Sequence, residues 1–302
     1  MSMQPTLIIL AAGMGSRYGS LKQIDRFGPS GETIVEYSIY DALRAGFEKI
    51  VLVIRQNFAE DFSEIVLNKA MKKADISFVF QELDNLPSGF SLPADRVKPW
   101  GTGHAVLMAA NKVNSPFAVV NADDFYGAQS YRIMADFLSR PQHGSPEEYC
   151  LVDYRLDNTL SESGYVSRGI CNVNKENYLT DITEHKKISR NGHEISSLTE
   201  SGKIILTGKE RVSMNLMGFL PSMFDHLQQQ FTAFLDVNYG NKDTEFFLPS
   251  AMNEVIKSGK ARVKVLPTLE KWFGVTYRED RDMVMNSLKK LVEQGVYPNS
   301  LW

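Results

Sequence analysis

Apolar residues along this chain fall into short runs separated by stretches with helical spacing. Leu7 to Leu10 is an unbroken apolar run that predicts a short buried strand. Lys49 to Ile54 is a β-branched run, as expected for a strand covered on both faces. Between them, Ile34, Tyr37, Ile39 and Leu43 keep near-helical spacing in a segment from Glu32 to Ala45, with Gly46 placed to end it. Phe58 to Lys73 reads as helix, Ile76 to Phe80 as strand, and Pro116 to Asn121 as a further apolar strand. Strand and helix alternating at this spacing predict an α/β fold with a doubly wound, mostly parallel sheet. Such sheets bind ligands at the carboxyl ends of their strands.

Beyond Ala128 the pattern changes. A helix to about Ser139 and a break from Pro141 to Pro146 are followed by mainly β-type segments. These are Tyr149 to Leu156, Gly164 to Val173, Tyr178 to Thr183, Lys203 to Leu206 and Glu210 to Leu220. Asn191-Gly192 is a hairpin signal among them. Helices are expected over Pro221–Phe234, Asp243–Ser258 and Glu279–Gln294, with a strand over Arg262–Leu266. We read an inserted β-rich lobe within one domain spanning 1–302, its two parts being 1–140 and 141–302.

Composition narrows the partners. The 302 residues carry a net charge of -3, which gives no reason to expect nucleic acid or an anionic membrane. No apolar run approaches the ~20 residues that cross a bilayer, and the start, Met-Ser-Met-Gln-Pro, lacks a basic n-region. The cytoplasm is therefore the expected compartment. Cys150 and Cys171 each sit in an apolar, strand-like run and are expected to be buried free thiols.

The chemistry starts where the first strand breaks. Gly13, Gly15 and Gly19 follow it, with Ser16, Arg17 and Lys22 among them. Glycines let backbone N–H groups approach an anion, and a guanidinium and an ammonium in the same loop add two phosphate-binding groups. A Walker loop would need Ser or Thr after its lysine, and Lys22 is followed by Gln23. A dinucleotide fingerprint would need its third glycine where Tyr18 stands, which disfavours a dehydrogenase. The loop reads as a polyphosphate cradle. Asn121-Ala-Asp123-Asp124 ends a strand of the same sheet, and two carboxylates beside a polyphosphate call for a bridging cation such as Mg²⁺. Asp123 and Asp124 are neighbours on a strand, so their side chains point opposite ways. Gln81 to Pro99 is long for a loop inside a compact domain, so it is either functional or disordered. It leads into Pro99-Trp-Gly-Thr-Gly-His104, where two glycines open a helix running to about Val113; Trp100 either stacks on a base or lids the core, and His104 is a capping or packing residue.

Leu-Ala-Ala-Gly-Met-Gly-Ser-Arg17 followed by Lys22 resembles the signature loop of the sugar-1-phosphate nucleotidylyltransferases, with Leu21 where that family usually has proline. The resemblance implies a Rossmann-like nucleotidyltransferase fold in which 1–140 holds the nucleotide and 141–302 the acceptor. It assigns catalysis to Arg17, Lys22 and Asp123, with Asp123 also the Mg²⁺ ligand. It places the nucleotide on Ala11, Ala12, Gly13, Gly15, Ser16, Gln81, Gly101 and Thr102, with Gln81 reading a pyrimidine edge. Gly164 matches a sugar-lining strand, Glu184 and Lys186 an element in which Glu accepts sugar hydroxyls and Lys pairs with phosphate, and Asn215 a sugar-facing asparagine. His185 is inserted between Glu and Lys, so Lys187 could take the role of Lys186. Many relatives have a second metal carboxylate where this chain has Gly274; Asp280 or Asp282 substitutes, or Asp123 serves with phosphate and water.

The implied activity joins a nucleoside triphosphate (UTP, dTTP or CTP) to a sugar-1-phosphate and releases pyrophosphate, in an enzyme that could form homo-oligomers. A cytidylyltransferase for phosphocholine or another small phosphorylated alcohol is one alternative. A non-catalytic nucleotide-sugar sensor, motivated by Gly274, is another.

Overall fold

The computed structural model describes residues 4–13, 24–67, 69–141, 144–161, 164–199, 202–275 and 279–302. In chain order the first half gives β1 (Thr6–Leu10), α1 (Ile34–Ala45), β2 (Lys49–Ile54), the short α2 (Ala59–Asp61), β3 (Asp75–Phe80), α3 (Thr102–Leu107), β4 (Phe117–Asn121), β5 (Asp124–Phe125) and α4 (Ala128–Leu138). The second half gives β6 (Glu147–Arg155), β7 (Val166–Val173), β8 (Leu179–Asn191), β9 (Glu194–Thr199), β10 (Gly202–Leu206), β11 (Arg211–Phe219), α5 (Met223–Asn238), α6 (Leu248–Lys257), β12 (Ala261–Pro267), β13 (Phe273–Gly274) and α7 (Asp280–Glu293).

Eleven strands form one sheet in the order β10-β9-β8-β7-β11-β4-β1-β2-β3, with β6 on β11 and β12 on β6. The α/β frame β3-β2-β1-β4 is parallel, as is the β6–β12 pair. The β-rich lobe contributes antiparallel strands to the same sheet, so the whole is mixed. Short hairpin connections allow only antiparallel neighbours, whereas the helix-bearing crossovers of the first half permit parallel ones.

Alternation along the inner strands explains the double winding. Leu7 and Ile9 on β1, Ile50, Leu52 and Ile54 on β2, and Ala118 and Val120 on β4 pack against Val35 and Ile39 of α1 and Met134 of α4. Their neighbours Ile8, Val51, Val53 and Val119 pack on the other face against Val106 of α3, Leu227 and Phe231 of α5 and Met252 of α6. Each strand residue buries one face in turn, so neither face tolerates a register slip. A third cluster joins Phe27, Tyr37, Phe125, Phe273, Val284, Tyr297 and Leu301, seating α7 and the last residues on α1.

Caps fix α1 where its pattern starts and stops. Thr33 Oγ1 accepts from Glu36 N (3.2 Å) while Glu36 Oε2 accepts from Thr33 N (2.8 Å), and Gly46 ends the helix at φ 99°. Gly192 takes φ 61° in the two-residue loop between β8 and β9, as the hairpin signal requires. The segment expected as one helix from Phe58 to Lys73 is instead a 3₁₀ turn, α2, a π-helical turn (Phe62–Leu67) and a second 3₁₀ turn. Helix α3 ends at Leu107, short of Val113. Cys150 and Cys171 are buried free thiols. Among the described residues, no helix is long and apolar enough to cross a membrane.

Candidate functional site

The carboxyl ends of the parallel strands bring three loops side by side. Past the regular ladders, Ala11 N donates to Val53 O (2.8 Å), Gln81 N to Ile54 O (2.9 Å) and Ala122 N to Leu10 O (3.0 Å). Ala11, where the glycine loop begins, therefore adjoins the turn that carries Asp123, with Gln81 two strands away. Ala11 and Ala12 are buried beneath that edge. Gly15, Ser16, Arg17 and Lys22 lie outside the described residues.

Gln81 is nearly buried (7% exposed), and both hydrogens of its amide are engaged. Nε2 donates to Gly101 O (3.0 Å) and to His104 Nδ1 (3.2 Å). His104 can accept there because its Nε2 donates to Asn85 O (2.8 Å). Burial pulls the His104 pKa down to about 4, so the ring stays neutral and keeps this tautomer. The Gln81 amide is thus left with its carbonyl oxygen alone for any ligand. His104 lies against Phe231 (ring centroids 4.7 Å apart), which gives it a packing role.

Trp100 is fully buried and donates Nε1 to Leu83 O (2.8 Å), so it lids the core and is not free to stack on a base. Gly101 and Gly103 make room for another segment. A Cβ on Gly101 would stand 2.5 Å from Phe246 O, and one on Gly103 would stand 2.6 Å from the Phe246 ring. Gly101 also holds φ 105°. Thr102 Oγ1 accepts from Leu248 N (3.0 Å) at the start of α6. The long loop before Trp100 is ordered by Arg96, which donates to the carbonyls of Lys98, Pro99, Asn241 and Thr244 and lies 3.5 Å over the Trp100 ring.

Asp123 is half-buried in the turn between β4 and β5, and Asp124 next to it is turned inward. Asn121 Nδ2 donates to Asp124 Oδ2 (2.9 Å), and Tyr126 Oη lies 3.2 Å from the same oxygen. Burial, and then the neighbouring Asp123 charge, push the Asp124 pKa up to about 8. On the opposing strand, β13 pairs Gly274 with Asp124. A Cβ at 274 would stand 2.7 Å from Asp124 Oδ1 and 3.1 Å from Asp123 O. A side chain there and the Asp124 carboxylate exclude one another, so the acid facing this seam comes from β5 and not from β13. Asp280 is buried and accepts from Ser161 Oγ (3.1 Å), while Asp282 lies in the first turn of α7. No group of three His, Cys, Asp or Glu among the described residues is arranged to hold a metal.

On the acceptor side, Gly164 stands just ahead of β7. Glu184 and Lys186 are exposed on β8, 3.8 Å apart, and Lys187 takes φ 49° where β7 and β8 change register. His185 pairs with Arg168 across the ladder, on the face opposite Gly169 and Glu184. Asn215 adopts φ 64° where β11 shifts register against β6 between Ser213 and Met217. Left-handed backbone in a strand is uncommon and is best tolerated by Asn or Gly, so the asparagine has a backbone reason to be there.

Three residues here had no sequence signal of their own. Arg96 sits in a loop without periodicity. Tyr126, beside the acids, looks like an ordinary core aromatic. Arg168 lies on β7 and stacks on Trp272 (4.7 Å), donating to Thr159 Oγ1 (3.1 Å) and Ser167 O (2.8 Å) and, by a further N–H, to Thr159 O. Burial pulls its pKa down to about 10 against the favourable charge of Asp124.

The family model described as nucleotidyl transferase matches residues 6–199. The chain belongs to the nucleotidyl transferase family. The bifunctional protein GlmU of Staphylococcus epidermidis is 24% identical over 299 residues, covering 97% of this chain and 54% of the relative. GlmU of Methanococcus maripaludis is 27% identical over 222 residues, 67% of this chain and 47% of the relative. The chain thus spans about half the length of these curated relatives. Among solved structures, the inositol-1-phosphate CTP transferase of T. maritima superposes with a TM-score of 0.64 at 18% identity, covering 96% of this chain and 97% of that one. A putative glucose-1-phosphate thymidylyltransferase of Bacillus anthracis superposes equally well (TM-score 0.64, 11% identity, 94% and 95% coverage). At these identities the two structures establish the nucleotidyltransferase fold, a Rossmann-like α/β sheet with flanking helices.

Proposed function

We propose that this nucleotidyltransferase condenses a pyrimidine nucleoside triphosphate with a sugar-1-phosphate, giving a nucleoside-diphosphate sugar and pyrophosphate. The observation that supports the reading is the alignment of Ala11, Gln81 and Ala122 along the carboxyl edge of the parallel strands, where sheets of this class take their ligands. Residues 1–140 form the nucleotide part of a single domain and 141–302 the acceptor part.

The acceptor's phosphate oxygen attacks the α-phosphorus in line, and pyrophosphate leaves with the electrons of the broken P–O bond. Backbone N–H groups from Ala12 to Ser16 hold the triphosphate, Arg17 balances the leaving pyrophosphate, and Lys22 reaches the α-phosphate. Asp123 suits Mg²⁺, which commonly takes one or two carboxylates and completes its shell with phosphate and water. When bound, Mg²⁺ neutralises charge on the reacting phosphates. The Gln81 amide offers only an acceptor, which the ring N–H of uracil or thymine or the exocyclic amine of cytosine can meet. Glu184 and Lys186, side by side and exposed, suit hydroxyls and a phosphate, which favours a polyol over a quaternary ammonium acceptor.

A pyrophosphate-release assay over UTP, dTTP and CTP, each against glucose-1-phosphate, N-acetylglucosamine-1-phosphate, inositol-1-phosphate and phosphocholine with Mg²⁺, tests this. Turnover with UTP, dTTP or CTP and a sugar-1-phosphate is expected. Binding without release from any pair would point to a sensor, and turnover confined to CTP with phosphocholine would replace the acceptor assignment.

A further inference from the structure

Strands β11 and β4 pair at Phe219–Phe117, Gly218–Ala118 and Met217–Val119, and the ladder then stops short of the carboxyl end of β4. Beyond that point β11 changes register and Asn215 turns to φ 64°. The opening is bridged by a side chain. Tyr126 is fully buried, and its hydroxyl accepts from Asn121 N (3.0 Å) and lies 3.1 Å from Met214 O, with Asp124 Oδ2 also in reach at 3.2 Å. A backbone donor and acceptor that adjacent antiparallel strands would exchange directly are joined through one phenol oxygen.

The backbone of Tyr126 is itself fixed, since Tyr154 Oη and Ser130 Oγ both donate to Tyr126 O (2.9 Å each). The phenol therefore has a rigid base, and its oxygen is a fixed distance from it. Two residues past Asn121 stands Asp123, and one past Met214 stands Asn215. We infer that Tyr126 is a positioning residue: its hydroxyl is a spacer that holds β4 and β11 apart and sets the span between the metal side and the acceptor side of the site. This rests on the roles given above to Asp123 and Asn215. A direct β4–β11 ladder would draw Asn215 against Asn121 and close the crevice at the strand ends. Nothing in the spacer touches the nucleotide edge at Gln81.

The test compares Tyr126→Phe with Tyr154→Phe. Both remove one buried hydroxyl from the same network, but only the first empties the seam. In Tyr126→Phe, slow exchange of the Asn121 amide, followed by NMR, should be lost while Ala118 and Val119 stay protected. Triphosphate affinity by calorimetry should hold within about twofold, while kcat falls or acceptor KM rises by about tenfold or more, because small misplacements of reacting groups are costly. Tyr154→Phe, which leaves Ser130 Oγ to hold Tyr126 O and the phenol in its seam, should lower Tm with turnover kept within about twofold.

The spacer is overturned if the Asn121 amide already exchanges freely in the wild type, or keeps its protection in Tyr126→Phe. It is also overturned if Tyr154→Phe, at equal loss of Tm, loses the same turnover. The wild-type exchange measurement stands even where Tyr126→Phe fails to fold. If the wild type releases no pyrophosphate with any pair, the functional reading fails, whereas the exchange data still decide whether the hydroxyl holds the seam.

Discussion

Replacing Arg96 with alanine isolates what keeps the long loop before Trp100 in place. Its guanidinium donates to Lys98 O (3.0 Å) and Pro99 O (3.1 Å) within the loop, and to Asn241 O (3.1 Å) and Thr244 O (2.8 Å) on the segment between α5 and α6. The residue is 3% exposed, so these carbonyls do not all regain water when it is removed. Hydrogen bonds to charged groups contribute roughly 1.5–3 kcal/mol each, so the two crossing bonds alone amount to about 3–6 kcal/mol. Some of the freed carbonyls will find solvent, and we take about 4 kcal/mol as the net loss. For a chain of this size that corresponds to a fall in Tm of roughly 6 °C. The loss should also be local. Amide exchange by mass spectrometry should accelerate over 84–99 and 241–246 while β1, β2 and β4 keep their protection. Arg96→Lys keeps the charge but not the planar fork and should fall between the two. A Tm within about 1 °C of wild type, or uniform exchange throughout the chain, would refute the view that one guanidinium staples this loop.

Three further outcomes follow from the same contacts. Asp41 accepts from Tyr297 Oη (2.6 Å), and burial lifts its pKa to about 7, so its protonated form stabilises the fold below the ordinary carboxylate range and that stability is lost as pH rises through 7. Asp41→Asn should therefore raise Tm at pH 8, by a contribution of roughly 2–4 kcal/mol at most, and change little at pH 4, as read by scanning calorimetry. Gly274→Ala places a Cβ 2.7 Å from Asp124 Oδ1 and should shift the turn carrying Asp123, cutting pyrophosphate release by about tenfold or more; unchanged turnover would mean the turn yields freely. Asp123→Asn should cost about 10²-fold in turnover, with Tm preserved because its side chain is only half-buried; near-normal turnover would remove it from the reaction.

Much of this molecule was legible from one dimension, and the failures share a cause. Lys49–Ile54 and the Gly46 stop announce themselves because burial on both faces and helix ends leave local signatures. The doubling of helix-bearing crossovers against hairpins likewise separates the parallel frame from the antiparallel lobe. Contacts between distant segments leave no such trace. Arg96 finds Asn241 and Thr244 across 145 and 148 residues. Tyr126 reaches Met214 across 88 residues. The inward turn of Asp124 could be anticipated from strand alternation, yet the reason it excludes a side chain at 274 appears only once β13 lies beside β5. The broken helical run from Phe58 shows the converse, a local pattern that tertiary packing overrides.

The segment crossing Gly101 and Gly103 changes how a short motif can be used. Those two positions must lack a side chain so that Phe246 can pass, and this requirement persists whether or not a nucleotide ever arrives. A descendant that lost its chemistry would still be obliged to keep Gly-Thr-Gly, since its mechanical partner lies across 145 residues of chain and not in the solvent. Recognition of an active member from that tripeptide alone would then mistake a joint for a binding surface; Asp123, half-buried at the strand ends, is the more telling letter.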